Sequence, residues 1–326
     1  MTLSRRAVIG AGLALGGGAR LMAAVLASTG KGRLVPVRGS HLYVEVSGPP
    51  DAPVLVYLHG GPGVGSYEFS HYAAATLSRR WRLVVFDQRG VLRSDPLPPG
   101  ARYGMDDLVA DTEALRVALG IDRWSLLGHS FGGHYALRYA LAHPERVETL
   151  FFENPAYSFP ESTRSNLRAT AALYTTLGKP EAAAAATATV EARLTPRALL
   201  EATMKDMGGL GEERQRLYLY DQKYRGFFGR LEKASGLPEA RWAQGQAQAK
   251  ALFDEGRILE PMIARLPEWT GPTVLLKGET DHATSPEEQA AVAALPHGRV
   301  VLIARAGHFV HVEQPAAMAR AIAPGG

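Results

Sequence analysis

The stretch Trp124-Ser125-Leu126-Leu127-Gly128-His129-Ser130-Phe131-Gly132-Gly133 carries the clearest chemical signal in this chain of 326 residues. It reads as a short apolar strand, a turn with glycines two residues either side of a serine, and an amphipathic helix over Tyr135 to Ala142. A serine on so sharp a strand-to-helix turn is forced into strained dihedrals that project its hydroxyl above the sheet. Its neighbours must be small, because the backbone passes close to adjoining segments. The following helix aims its first amides at any negative charge that develops beside the serine. Ser130 is therefore the candidate nucleophile; the competing reading is a serine that only caps the helix.

A serine hydroxyl needs a base to take its proton, and the base needs an acid to fix its tautomer. After such a turn the expected chain order is serine, acid, histidine. Asp281 in Gly278-Glu279-Thr280-Asp281 and His308 in Ala306-Gly307-His308 follow that order. Asp281 could instead sit at a helix start, His282 is a rival base, and Glu153, directly after a strand, is the alternative acid; Asp281 is preferred. His311, three residues past His308, and His129 beside the serine read as structural. A tetrahedral intermediate also needs donors for its oxyanion. The Phe131 N–H is one, and the loop His59-Gly60-Gly61-Pro62-Gly63 offers the other, from Gly61 first and Gly60 second. This loop lacks the Lys-Ser/Thr of a phosphate-binding P-loop.

The elements that must position these groups alternate. Leu34–Val37 and His41–Val46 read as a hairpin around Arg38-Gly39-Ser40. Val54–Leu58 and Arg82–Phe86 read as buried strands, and Met105–Leu119 as a helix stopped by Gly120. After the serine turn come a strand at Val147–Phe152, a strand at Thr273–Lys277, a helix at Pro286–Leu295, a strand at Arg299–Ile303 and a closing helix at Gln314–Ala323. This alternation predicts an α/β chain with a mostly parallel sheet covered on both faces. Each polar motif lies at a strand's carboxyl end, where active groups gather in such sheets. Residues 154–268 break the alternation and read as an inserted helical cap. The core is expected at 28–153 and 269–326.

Composition narrows the alternatives. At 46% hydrophobic content the chain supports a large core, and the absence of cysteine excludes disulfides and thiolate chemistry. The net charge is +4, but Arg5, Arg6 and Arg20 fall in the first 27 residues, which hold no acid. The remainder is nearly balanced, so no nucleic-acid partner is expected. Ser4-Arg5-Arg6, an apolar run and small residues near Ala27 read as a twin-arginine export signal over residues 1–27. The protein is then expected outside the cytoplasm, with no stable membrane span once the signal is removed; the alternatives are a frayed, alanine-rich extension or an uncleaved anchor, and a cytoplasmic location. No metal cluster or nucleotide fingerprint is visible, so no cofactor and no metal are expected. The oligomeric state is not readable.

Taken together, His59-Gly60-Gly61-Pro62-Gly63, Asp87-Gln88-Arg89-Gly90 with Arg93-Ser94, the serine turn, Gly278-x-x-Asp281 and Gly307-His308-Phe309-x-His311-x-Glu313-Gln314-Pro315 resemble the proline iminopeptidase group of α/β-hydrolases. The resemblance covers about 28–153 and 269–326. It implies an α/β-hydrolase fold with an eight-stranded sheet and a helical cap, no cofactor, and release of an N-terminal residue, often proline, from short peptides. It also implies a cap carboxylate that holds the substrate's free amine. Asp221 in Tyr218-Leu219-Tyr220-Asp221 is the candidate, with Glu153 and Glu255 behind it. Two departures stand out. Leu92 replaces a glycine, and the serine turn reads Gly-His-Ser-Phe-Gly-Gly where proline-specific members favour Gly-Gly-Ser-Trp-Gly. Three functions follow: a serine aminopeptidase acting on a small molecule or short peptide, a carboxylic ester or lactone hydrolase with the same Ser130, His308 and Asp281, and a non-hydrolytic protein of the same fold.

Overall fold

The computed structural model describes residues 32–325, so the segment read as an export signal lies outside the described residues. Eight strands form one sheet in the order β1-β2-β4-β3-β5-β6-β7-β8. They are β1 Arg33–Val37, β2 Ser40–Ser47, β3 Val54–Leu58, β4 Arg82–Phe86, β5 Trp124–His129, β6 Val147–Glu153, β7 Thr273–Gly278 and β8 Gly298–Ile303. The first two strands make the expected hairpin, and β2 runs antiparallel to β4; every other pairing is parallel.

Strand periodicity explains why the central strands read as continuous apolar runs. Successive side chains point to opposite faces, and here both faces are covered. Val56, Leu58, Val84, Phe86, Leu126 and Phe152 join one core. Their chain neighbours Leu55, Tyr57, Leu83, Val85, Leu127 and Phe151 join the other. The first core is completed by α3 Met105–Ala118, α4 Phe131–Ala142 and α11 Pro286–Ala293; the second by α1 Tyr67–Tyr72, α2 Ala74–Leu77 and α13 Pro315–Ala321, with α12 Val310–Glu313 ahead of it.

Helix α4 starts at Phe131, four residues before the position expected from its apolar spacing. Gly132 and Gly133 look like helix breakers, yet they serve packing. A Cβ on Gly132 would meet the Leu58 carbonyl oxygen at 2.0 Å, and one on Gly128 would meet the Gly132 carbonyl oxygen at 2.4 Å. The serine turn thus needs glycine because strand and helix touch there, at a helix-propensity cost of about 1 kcal/mol per glycine.

Between β6 and β7 the chain is helical: α5 Phe159–Thr176, α6 Pro180–Glu191, α7 Pro196–Gly208, α8 Phe227–Ser235, α9 Glu239–Ala243 and α10 Gly245–Glu255, with short 3₁₀ turns between. This segment has its own small core of Leu173, Tyr174, Ala183, Met207, Leu210 and Leu217. A second cluster, Leu219, Phe227 and Leu231 with Val312, joins it to the sheet domain. Among the described residues no helix is long and apolar enough to cross a membrane.

Candidate active site

Ser130 sits at the carboxyl end of β5 with φ 54° and ψ −123°. Such dihedrals are strained for a residue with a side chain. Two hydrogen bonds hold the turn: the Gly133 and Ala156 N–H groups both donate to the Ser130 carbonyl at 2.9 Å. The Ser130 N–H donates to the Glu153 carbonyl at 3.2 Å, locking the turn to β6. The Phe131 N–H, as the first of α4, has no acceptor within its own helix.

His308 and Asp281 meet from the loops after β8 and β7. His308 Nδ1 lies 2.7 Å from Asp281 Oδ1. Asp281 Oδ1 also accepts from the Ala283 N–H at 3.1 Å, and Oδ2 from the Thr284 N–H at 3.0 Å. Lys277 Nζ stands 3.3 Å from Oδ2. Burial alone would raise this carboxyl's pKa. The His308 hydrogen bond and charge, Lys277 and the Thr284 N–H outweigh it and hold Asp281 well below the usual carboxylate range. An ionised acid at Nδ1 leaves Nε2 as the free ring nitrogen of His308.

Asn154 fastens the two loops together. Its Nδ2 donates to the Gly307 and His308 carbonyls at 2.8 and 2.9 Å, and its Oδ1 accepts from the Gly278 N–H at 2.7 Å. Glu313 adds a second tie. Its carboxylate accepts from the Gly307 N–H at 2.6 Å and from the Asp221 N–H at 2.8 Å, joining the histidine loop to the inserted segment. The His308 N–H itself donates to the Tyr218 carbonyl at 2.7 Å. Sequence reasoning missed Asn154 and Glu313 as supports, because their value lies in contacts between distant loops.

Ser130 and His308 line one cavity of about 630 Å³, with Gly60 and Gly61 beside them. Tyr218, Leu219, Phe227 and Phe228 of the inserted segment line it too, and Phe227 packs against Phe309 at 5.1 Å between ring centroids. The hydrogen bonds among the described residues do not include one between Ser130 Oγ and His308; such contacts commonly tighten only around substrate.

The glycine loop is held from below by the Asp87 motif. Asp87 accepts from the Ser66 N–H and Oγ at 2.9 and 2.7 Å and from Arg93 Nε at 2.7 Å. Burial opposes its ionisation, but Arg93 and Ser66 keep its pKa low. The Gln88 N–H donates to His59 Nε2 at 3.1 Å, fixing the residue that opens the loop. Arg93 also pairs with Glu45. Leu92, which stands in the family's glycine position, has φ 41°; the site asks for the left-handed backbone that glycine adopts without strain. Asp87→Ala is expected to destabilise the fold by about 3 kcal/mol, the low end for a broken buried pair because Arg93 keeps Glu45. The urea unfolding midpoint reads this directly.

The structure corrects the expected amine anchors. Asp221 does not line the cavity: its side chain is 41% exposed, caps the Lys223 N–H at 3.0 Å and pairs with Lys223 Nζ. Glu153 is fully buried, and its Oε1 accepts from both the N–H and Nδ1 of His311 at 2.8 Å. It neither reaches the cavity lining nor partners His308. Glu255 holds Arg257 at a separate groove. His282 lies outside the lining as well. His129 is buried, with its pKa pushed well down by burial and by the charges of His308 and His311.

Comparison with known proteins accords with this architecture. Residues 53–315 match the family model described as alpha/beta hydrolase fold. The proline iminopeptidase of Xylella fastidiosa (strain 9a5c) is 45% identical over 109 residues, 33% of this chain and 34% of that protein. That of Neisseria gonorrhoeae is 40% identical over 123 residues, 37% of this chain and 39% of that protein. The chain thus spans little more than a third of the length of these curated relatives. A proline iminopeptidase-related protein from Thermus thermophilus superposes with a TM-score of 0.69 at 28% identity, over 89% of this chain and 95% of that one. The serine turn, the eight-stranded sheet and the family match over most of the chain lead to one assignment: the chain belongs to the α/β-hydrolase fold family.

Proposed function

We propose that this protein is a serine hydrolase that releases the N-terminal residue of short peptides through an acyl-enzyme. The observation that carries the reading is the 2.7 Å contact of Asp281 with His308 on the edge of a cavity that also holds Ser130. Ser130 Oγ attacks the scissile carbonyl carbon while His308 Nε2 takes its proton. Asp281 keeps the Nδ1–H in place and stabilises the imidazolium. The former carbonyl oxygen, now negative, is met by the N–H groups of Gly61 and Phe131. The intermediate collapses, the C–N bond breaks, and His308 returns its proton to the leaving amine. Water, deprotonated by the same imidazole, then hydrolyses the ester at Ser130.

The aminopeptidase specificity rests on similarity to the Xylella, Neisseria and Thermus proteins. Residues 154–268 serve in this reading as the cap that shapes the acyl pocket. Residues 1–27 act as an export signal, read from Arg5-Arg6 and the apolar run that follows; cell fractionation of the full chain against an Arg5→Lys/Arg6→Lys form tests that.

One observation favours a second reading, an ester or lactone hydrolase. The cavity wall is strongly aromatic, and none of the carboxylates expected from the cap lines it. Proline β-naphthylamide, its N-blocked form and p-nitrophenyl esters separate the two. The aminopeptidase reading expects the free-amine amide to exceed the blocked amide in kcat/KM by about 100-fold, the scale of one desolvated charge-assisted contact. Ester turnover indifferent to an amine selects the second reading instead.

A further inference from the structure

The cavity lining includes a carboxylate that the sequence did not mark. Glu68, on α1, is 2% exposed. Its Oε2 has no hydrogen-bond partner, and among the described residues it forms no salt bridge. A buried carboxylate oxygen without a donor is destabilising unless a partner meets it. The groups around it are Tyr57 of β3, Asp87 after β4, Glu153 at the end of β6 and His311 of α12. Asp87 is already paired with Arg93, and Glu153 with His311. Glu68 is thus the acid of this group with no cation in contact. Arg214, on the inserted segment, is the cavity's other charged lining residue apart from its histidines, and it is exposed.

The chain path adds a second argument. The loop that presents Gly61 runs directly into α1. A single segment therefore carries Gly61, the proposed oxyanion donor, and a buried carboxylate on one cavity. We propose that Glu68 is the subsite for the free ammonium group of the substrate, supplied by the sheet domain and not by the inserted helices. This rests on the aminopeptidase reading above. The ammonium would meet the unpaired carboxylate, while Phe227, Phe228 and Phe309 offer an apolar wall for the ring of an N-terminal residue such as proline.

Burial pushes the Glu68 carboxyl up to about 7, with neighbouring His311 pulling the other way. Below that pH the acid is neutral and offers no charge to an ammonium; above it the carboxylate forms. Recognition of a free amine should therefore strengthen as pH rises through neutrality.

The test is calorimetric titration of the full-length Ser130→Ala protein, which cannot turn over, with L-prolinamide and N-acetyl-L-prolinamide. At pH 7 the free amine is expected to bind at least about tenfold tighter than the acetylated ligand, the scale of one charged hydrogen bond. Lowering the pH to 5.5 should cost the free amine at least about fivefold, by depleting the competent ionised form, and leave the acetylated ligand unchanged. Adding Glu68→Gln should abolish the difference between the ligands, whereas Asp221→Asn should leave it intact. Equal binding of the two ligands, a preference that survives Glu68→Gln, or no binding of either overturns the proposal. If Glu68→Gln impairs folding, the pH series on the Glu68-containing protein decides, and a preference independent of pH overturns it. Ester turnover by the intact chain is measured separately, so failure of amine recognition is distinguishable from failure of the hydrolase reading.

Discussion

Ser130→Ala is expected to lower kcat by about 10⁵-fold or more while leaving KM and the thermal midpoint nearly unchanged. The magnitude follows from the proposed mechanism, in which Ser130 is a nucleophile whose base and orienting acid act only through it. The residual rate would come from the N–H groups of Gly61 and Phe131 and from binding alone. The fold should tolerate the change, because the turn is held by backbone contacts. The Gly133 and Ala156 N–H groups and the Glu153 carbonyl hold the Ser130 backbone, and no hydrogen bond among the described residues uses its hydroxyl. Alanine must adopt the same left-handed φ of 54°, so the strain stays. Steady-state kinetics on a p-nitrophenyl ester and a thermal melt check both parts; a loss below about 100-fold would point to a different nucleophile.

Asp281→Asn carries the second largest effect, about 10⁴-fold in kcat at neutral pH. The carboxylate accepts at Oδ1 from His308 Nδ1 and from the Ala283 N–H, and at Oδ2 from the Thr284 N–H. An amide keeps the Thr284 N–H contact through its oxygen, while its nitrogen takes the place of the Oδ1 that the Ala283 N–H uses. Its nitrogen then donates to His308 Nδ1, which moves the ring proton to Nε2 and removes the acceptor that Ser130 needs. The defect should lie in kcat and shrink as pH rises and hydroxide competes as base. A variant that loses KM alone would show that Asp281 acts on binding. Glu153→Gln separates the rival acid. Its carboxylate serves His311 and not His308, so it should change kcat far less.

Much of the placement of this candidate site was legible in the sequence because its constraints are local and steric. Gly128 and Gly132 have to be glycine where carbonyl oxygens approach to 2.4 and 2.0 Å of a built Cβ. The motifs after β3, β4, β5, β7 and β8 were readable because a parallel sheet delivers its loops to one edge. The start of α4 was misread, since Gly132 and Gly133 have poor helix propensity and only tertiary contact rewards them. Asp221 was misread for a different reason. Two aromatics before an acid look like a recognition element, but Glu313 takes the Asp221 N–H and Lys223 takes its carboxylate. No periodicity could report that. Glu68 sits between Tyr67 and Phe69 on a short helix and looks like an ordinary surface acid; only the burial of α1 against Tyr57 and His311 brings it to the cavity.

The central claim is that the Ser130 hydroxyl is made nucleophilic by His308. Exposure of the full chain to a fluorophosphonate, followed by intact mass measurement and peptide mapping, tests it most directly. The account predicts one covalent adduct, on Ser130, formed rapidly by the native chain and at least about 10³-fold more slowly by His308→Ala. An adduct on any other residue, or labelling of Ser130 at the same rate without His308, would contradict it.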